Sequence, residues 1–199
     1  VEVMINTPFI ADLILNRRIE EIKPVKSHQV RPGVVQYDLG QNMVGWVRIK
    51  VKAPAGREII VRMAEMLEPD GSLHLANLRT ARATARYFAR GEGEETWEPR
   101  FTYFGFRYIE LSGVDAPGAD AVTGVVVHSD LPRIGWFECS NPMLNQLYSN
   151  TRWGQKGNFL EVPTDCPLRN ERLGWTGDDQ VFSSTANYNL ASEIGRAHV

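Results

Sequence analysis

Residues 44–52 read VGWVRIKVK, with Val47, Ile49 and Val51 alternating against Arg48, Lys50 and Lys52. Successive side chains of a strand point to opposite faces, so this alternation predicts a strand with one face buried and one in water. Further strand-like runs occupy 34–39, 58–66, 85–89, 104–111 and 121–128. Glycine and proline clusters bound them, at 54–56, 69–71, 91–93 and 113–118. Many short strands punctuated in this way predict an antiparallel β-sandwich for the first two thirds of the chain.

The period changes after Ser129. Asn141 and Pro142 form a helix-start signature: the asparagine side chain caps free amides, and proline suits the first turn, where its missing N–H costs nothing. Leu144, Leu147, Tyr148 and Thr151 follow at i, i+3, i+4 and i+7, predicting one buried stripe on a helix that runs to about Lys156 or Gly157. A second helix is predicted from near Thr176, carrying Asp179, Val181, Phe182 and Ala186. Two helices cannot bury their stripes alone, so they must rest on the sandwich or on further helices. The expected division is a sandwich over 1–130 and the start of a helical domain over 131–193, with 194–199 (IGRAHV) resembling a translated sequencing adapter and expected to be non-native. With no initiator methionine and no charged segment leading into an apolar run at its start, the chain reads as a fragment cut at both ends.

Charge and cysteine usage exclude several functions. The net charge of −2, with no basic run, argues against electrostatic nucleic-acid binding. No segment approaches the ~18 apolar residues of a membrane span. Cys139 and Cys166 have no metal-ligand spacing and are expected as buried, unpaired thiols; His28, His74 and His128 show no repeated spacing. No metal and no cofactor is therefore assigned, and the oligomeric state is left open. Trp46, Trp97, Trp136 and the aromatics of 101–108 are expected mainly in the core, while Asp38, Asn42 and Asp70 read as turn residues.

The chemistry concentrates in 164–180, TDCPLRNERLGWTGDDQ. Asp165, Glu171, Asp178 and Asp179 are interleaved there with Arg169, Arg172 and Trp175. Such density is usually a solvated loop with local ion pairs. Pro167 and Gly174 break it up, however, and an exposed tryptophan is costly on a loop. Neighbouring carboxylates push each other's proton affinities apart, a tryptophan offers a face to a sugar ring, and arginines donate to hydroxyls. The window reads as a polar-ligand site containing a titratable group.

The block NPMLNQLYSNTRWGQKGNFLEVPTDCPLRNERLGWTGDDQVF resembles the opening of the catalytic domain of bacterial α-L-rhamnosidases, glycoside hydrolase family 78. YDLGQNMVGWVRIKV, WEPRFTYFGFRYIELSG and VVVHSDLPRIGWFECSNP resemble the β-sandwich preceding that domain, so the likeness spans about 34–190. It implies a sandwich followed by the first helices of an (α/α)6 barrel, and inverting hydrolysis of terminal α-L-rhamnose from glycosides or polysaccharides. Glu171 matches the general acid, and Asp165, Arg169, Trp175 and Asp178 match residues lining the sugar subsite. Leu168 and Asn170 depart from the glutamine and aspartate common beside that arginine. The general base lies further along the barrel in the family, so this polypeptide is expected to be inactive although its parent is not. The alternative reading is a non-catalytic carbohydrate-binding or interaction module.

Overall fold

The computed structural model describes residues 16–192. Glu193 and the expected tail at 194–199 lie outside the described residues. Eight strands form one antiparallel sheet: β1 (Asn16–Ile22), β2 (Lys26–Arg31), β3 (Val34–Lys52), β4 (Glu58–Ala64), β5 (Thr84–Phe88), β6 (Glu94–Trp97), β7 (Phe104–Ser112) and β8 (Val122–Ser129). Their order is β1-β8-β3-β7-β4-β5, with β2 and β6 added along β3. The sheet curls around a core that includes the fully buried Tyr37, Ile49, Ile59, Val61, Phe106, Ile109 and Val122. This curled, half-barrel sheet with helices after it is the expected fold class.

The long strand β3 organises the curl, because its partners change along its length. Residues 34–38 lie between β2 and β7, whereas 45–49 pair with β8 and 49–52 with β6. The sequence signals at 34–39 and 44–52 predict two strands around a turn; they are one strand with an irregularity between Asp38 and Met43. Asp38 does make turn chemistry, accepting the Gly40 N–H at 2.7 Å. The chain does not reverse, because Arg107 on β7 grips both Asp38 oxygens at 2.7 and 2.8 Å and holds the bulge to the sheet. That guanidinium also keeps the Asp38 carboxyl below its usual range.

β1, β2 and β6 escape sequence reading because they are short and largely polar, with mostly exposed side chains and no apolar alternation. The core expectation holds for Phe104 and Phe106, and Trp97 stacks on Tyr87 at the core's edge. It fails for Trp136 and Phe101, which are exposed. Asp70 accepts the Ser72 N–H and Gly71 donates to the Glu68 carbonyl, the turn expected there. Both cysteines are free, but only Cys166 is buried.

One buried carboxylate makes the sheet edge acid-sensitive. Glu95 on β6 accepts from the Tyr87 hydroxyl and from the Arg90 and Gly91 N–H groups. These donors, the tyrosine first, outweigh burial and bring its pKa from 4.5 down to about 2. A carboxyl whose folded pKa lies below its unfolded value contributes fully above the unfolded value, and the contribution drains away as pH falls towards the folded one. Stability is therefore expected to fall between about pH 4.5 and 2, with a shallower slope in Glu95→Gln; equal slopes in denaturant titrations across that window would contradict this.

Two helices follow the sheet: α1 (Pro142–Asn158) and α2 (Thr176–Asn189). The predicted cap is present, Asn141 Oδ1 accepting the Met143 N–H at 2.9 Å. The predicted stripe, however, is not buried. Leu144 and Leu147 are exposed and, with Tyr148 and Thr151, line a groove shared with Trp136, Phe137 and Tyr188. The helix instead turns its C-terminal half to the sheet. Lys156 Nζ bonds Glu20 on β1 at 2.6 Å, and Gly157 crosses β3 so closely that a Cβ there would stand 2.8 Å from Val44 Cγ2. Trp153 also packs on the sheet core, which assigns it to the interface between sheet and helix. A buried clasp joins the helices: Gln155 Nε2 donates to the Ala186 carbonyl, and Asn189 Nδ2 donates to Gln155 Oε1.

Candidate active site

Between the helices the chain makes a two-residue ladder, β9 (Phe159–Leu160) with β10 (Val162–Pro163), and then the charged loop. Asp165 closes this loop on itself: its N–H donates to the Leu173 carbonyl, and its Oδ1 accepts the Leu173 N–H, each at 3.0 Å. Burial alone would raise the Asp165 carboxyl, but hydrogen bonds from Cys166, Leu173 and Arg169 outweigh it and hold the group below its usual 3.8. Asp165 is thus an ionised acceptor near neutral pH.

Arg169 joins the loop's two carboxylates. Its Nη2 lies 3.4 Å from Asp165 Oδ2 and 3.0 Å from Glu171 Oε2. An oxygen of each carboxylate and the Cys166 sulfur lie within 4.8 Å of one another, a spacing a cation could occupy, and the guanidinium supplies the positive charge there. Trp175 is the extended residue preceding α2, and Asp178 and Asp179 occupy that helix's first turn, where free amides favour carboxylates. The Trp175 side chain is half exposed.

A cavity of about 400 Å³ opens between α1, α2 and the loop. Asp165, Trp175 and Asp178 line it, together with Asp179, Gln155 and Phe182. Three of the five sequence-predicted residues therefore share one cavity. Arg169 and Glu171 do not line it; they stand beside it, coupled through the Arg169 link to Asp165.

Sequence reasoning missed the sheet's part in the site. Asn170 Nδ2 donates to Thr80 Oγ1 at 2.7 Å, and Arg79 Nη1 reaches Glu171 Oε2 at 3.4 Å. Arg172 lies over the Tyr103 ring, 4.5 Å from its centroid. Pro167 and Leu168 sit on Gly105 of β7, where an added Cβ would stand 3.3 and 3.2 Å from them. The Leu168 departure thus becomes a packing contact on the sheet, and the Asn170 departure a hydrogen bond to it. Arg79, Glu161 and Arg172 hold φ of 55, 66 and 54°, a left-handed conformation that costs a non-glycine residue energy and persists only where surrounding contacts demand it. No sequence signal marks these contacts, because their partners stand some 60 to 90 positions apart.

Comparison with known proteins gives the site its context. Residues 28–128 match the bacterial alpha-L-rhamnosidase concanavalin-like domain, and 132–194 match the bacterial alpha-L-rhamnosidase 6 hairpin glycosidase domain. An alpha-L-rhamnosidase of Streptomyces avermitilis is 52% identical over 177 residues, covering 88% of this chain and 17% of the relative. The solved structure of Streptomyces avermitilis alpha-L-rhamnosidase complexed with L-rhamnose superposes with a TM-score of 0.87 at 52% identity, over 89% of this chain and 17% of that one. The alpha-L-rhamnosidase structure from Dictyoglumus thermophilum gives a TM-score of 0.87 at 44% identity, over 89% of this chain and 20% of that one. The chain spans about a fifth or less of the length of these relatives. On two adjoining family domains and these identities, the chain belongs to the bacterial α-L-rhamnosidase family of glycoside hydrolases.

Proposed function

We propose that this chain is the sandwich and the first wall of the active site of an inverting α-L-rhamnosidase, divided near residue 130, with Glu171 as the general acid. Asp165, Arg169, Trp175 and Asp178 form the cradle for rhamnose: the carboxyl oxygens of Asp165 and Asp178 accept from sugar hydroxyls, Arg169 donates, and Trp175 gives the ring an apolar face. The substrate class is a glycoside or polysaccharide ending in α-L-rhamnose, as the rhamnose complex of the Streptomyces avermitilis relative supports.

The observation that carries the reading is the Arg169 link between Asp165 and Glu171. Two carboxylates with oxygens within 4.8 Å and one guanidinium paired to both cannot serve as an acid and base on opposite faces of a sugar, which need about 6.5–9.5 Å between them. Asp165 accepts from the Leu173 N–H through Oδ1 and from Arg169 through Oδ2, contacts that fix it as a binding group with lone pairs left for sugar hydroxyls, and it is assigned no nucleophilic role. The base is then a different carboxylate, placed across the sugar by the rest of the parent enzyme. In the reaction Glu171 gives its proton to the glycosidic oxygen as the C1–O bond breaks, that oxygen keeping the electron pair. The base takes a proton from the water whose oxygen bonds to C1 from the other side, and inverted rhamnose leaves.

Proton NMR of the full-length parent hydrolysing p-nitrophenyl α-L-rhamnoside is expected to show β-L-rhamnose first, with the α-anomer appearing only by mutarotation. α-L-rhamnose as the first product would overturn inversion, and no hydrolysis would overturn the activity. The purified 199-residue chain is expected to release no p-nitrophenol; measurable turnover by it would place a complete acid–base pair within these residues.

A further inference from the structure

The contacts made by Glu171 differ between its two oxygens. Both cations meet Oε2, Arg169 at 3.0 Å and Arg79 at 3.4 Å. Among the described residues Oε1 has no hydrogen-bond partner. Arg79 does not belong to the helical part of the chain. It follows the short turn Ala76–Leu78, whose Leu78 is buried in the sheet core, and its backbone holds a left-handed φ of 55°. Thr80, the next residue, accepts from Asn170 of the same loop that carries Glu171. The sheet thus presents a guanidinium to the loop from an anchored, strained turn.

From this geometry we infer that Arg79 is a positioning residue of the active site, holding Oε2 of Glu171 as the acceptor oxygen so that the proton resides on Oε1 and points to the leaving group. The inference rests on the reading of Glu171 as the proton donor. In the protonated carboxyl the carbonyl-type oxygen is the better acceptor, so it is the one that faces the Arg79 hydrogen bond and the Arg169 ion pair, and the hydroxyl-type oxygen is the one that donates. When Oε1–H gives its proton to the glycosidic oxygen, Glu171 is left as a carboxylate whose charge already faces two cations. A donor held in one orientation meets the leaving oxygen without searching rotamers, which acts on kcat rather than on substrate affinity. The sandwich is then part of the catalytic architecture and not only a support for the barrel.

The test uses the full-length parent with two substrates that differ in their need for a proton: methyl α-L-rhamnoside, whose alkoxide must be protonated to leave, and 2,4-dinitrophenyl α-L-rhamnoside, whose phenolate leaves unaided. Arg79→Ala is expected to lower kcat on the methyl glycoside about tenfold with KM within about twofold, and to cost less than about twofold on the dinitrophenyl glycoside. Arg79→Lys, which restores a cation, is expected to recover most of the loss. The Arg79 side chain is 56% exposed, and alanine faces the same backbone conformation, so the melting temperature is expected to stay unchanged. Equal losses on both substrates, a change confined to KM, or a lysine variant no better than alanine would overturn the assignment. Glu171→Gln, measured alongside, separates the two ideas. If it collapses turnover of the methyl glycoside while Arg79→Ala does nothing, only the role of Arg79 falls; if it keeps full turnover, the proton-donor reading falls and the assignment with it.

Discussion

Glu171→Gln in the full-length parent is expected to lower kcat on a sugar or alkyl α-L-rhamnoside by roughly 10²–10⁴-fold, the usual worth of a positioned general acid. The amide has nearly the shape of the carboxyl and its oxygen can still face the two arginines, but it has no acidic proton to give. Rhamnose binding is expected to persist, because the cavity-lining groups Asp165, Trp175 and Asp178 are untouched. Calorimetry with free L-rhamnose and turnover with a poor leaving group together decide the matter. Retained binding with lost turnover supports the enzyme reading, whereas unchanged behaviour in both would favour a non-catalytic carbohydrate-binding module. A loss of binding equal to the loss of turnover would place Glu171 in the cradle and not at the bond.

Gly45→Ala is expected to destabilise the chain by about 3 kcal/mol or more, because two penalties coincide at this residue. Gly45 has φ of 150°, which side chains rarely adopt, and a Cβ there would stand 1.9 Å from the Val125 carbonyl oxygen and 3.1 Å from the Val127 amide. The obstruction is backbone on a paired strand, so relief requires parting β3 from β8. Gly45 also pairs with Phe104 of β7 on its other side, which leaves the strand nowhere to retreat. At the size of this chain such a loss lowers Tm by roughly 6–12 °C. Gly154→Ala is the control: it lies within α1, nothing stands within 4 Å of its added Cβ, and alanine there is expected to raise stability by up to about 1 kcal/mol. A Gly45→Ala chain melting within 2 °C or so of its parent would show that the close approach at β8 is not demanding.

The two penalties arise where β3 passes from one set of partners to another, and that handover was only half legible. The alternation of 44–52 identified a strand and its buried face, and Val47, Ile49 and Val51 are indeed buried. What the alternation does not encode is partner choice. Asp38 and Gly40 read as a turn in the sequence and act as a bulge in the fold, because Arg107, far along the chain, holds Asp38 in the sheet. The same division holds for α1. Its start was legible from Asn141 and Pro142, since capping is local chemistry. The face it presents to the sheet was not, because Lys156 and Gly157 meet β1 and β3 only after the sheet has curled.

Which groups gather in the candidate site, and where the elements beneath them begin, follows from local chemistry along the chain. Asp165, Arg169 and Glu171 fall within one loop, and Trp175 and Asp178 at the start of one helix, so short-range spacing already places them near one another. Packing between distant segments sets how they divide, with Asp165, Trp175 and Asp178 at the cavity and Arg169 and Glu171 beside it. It also brings Gly105 of β7, and Arg79, Thr80 and Tyr103 from segments between the strands, against that loop. The two kinds of interaction differ in range. Periodicity and capping act over a few residues and are written into neighbouring side chains, whereas a cation from a distant turn reaches one oxygen of Glu171 only through closure of the whole sheet.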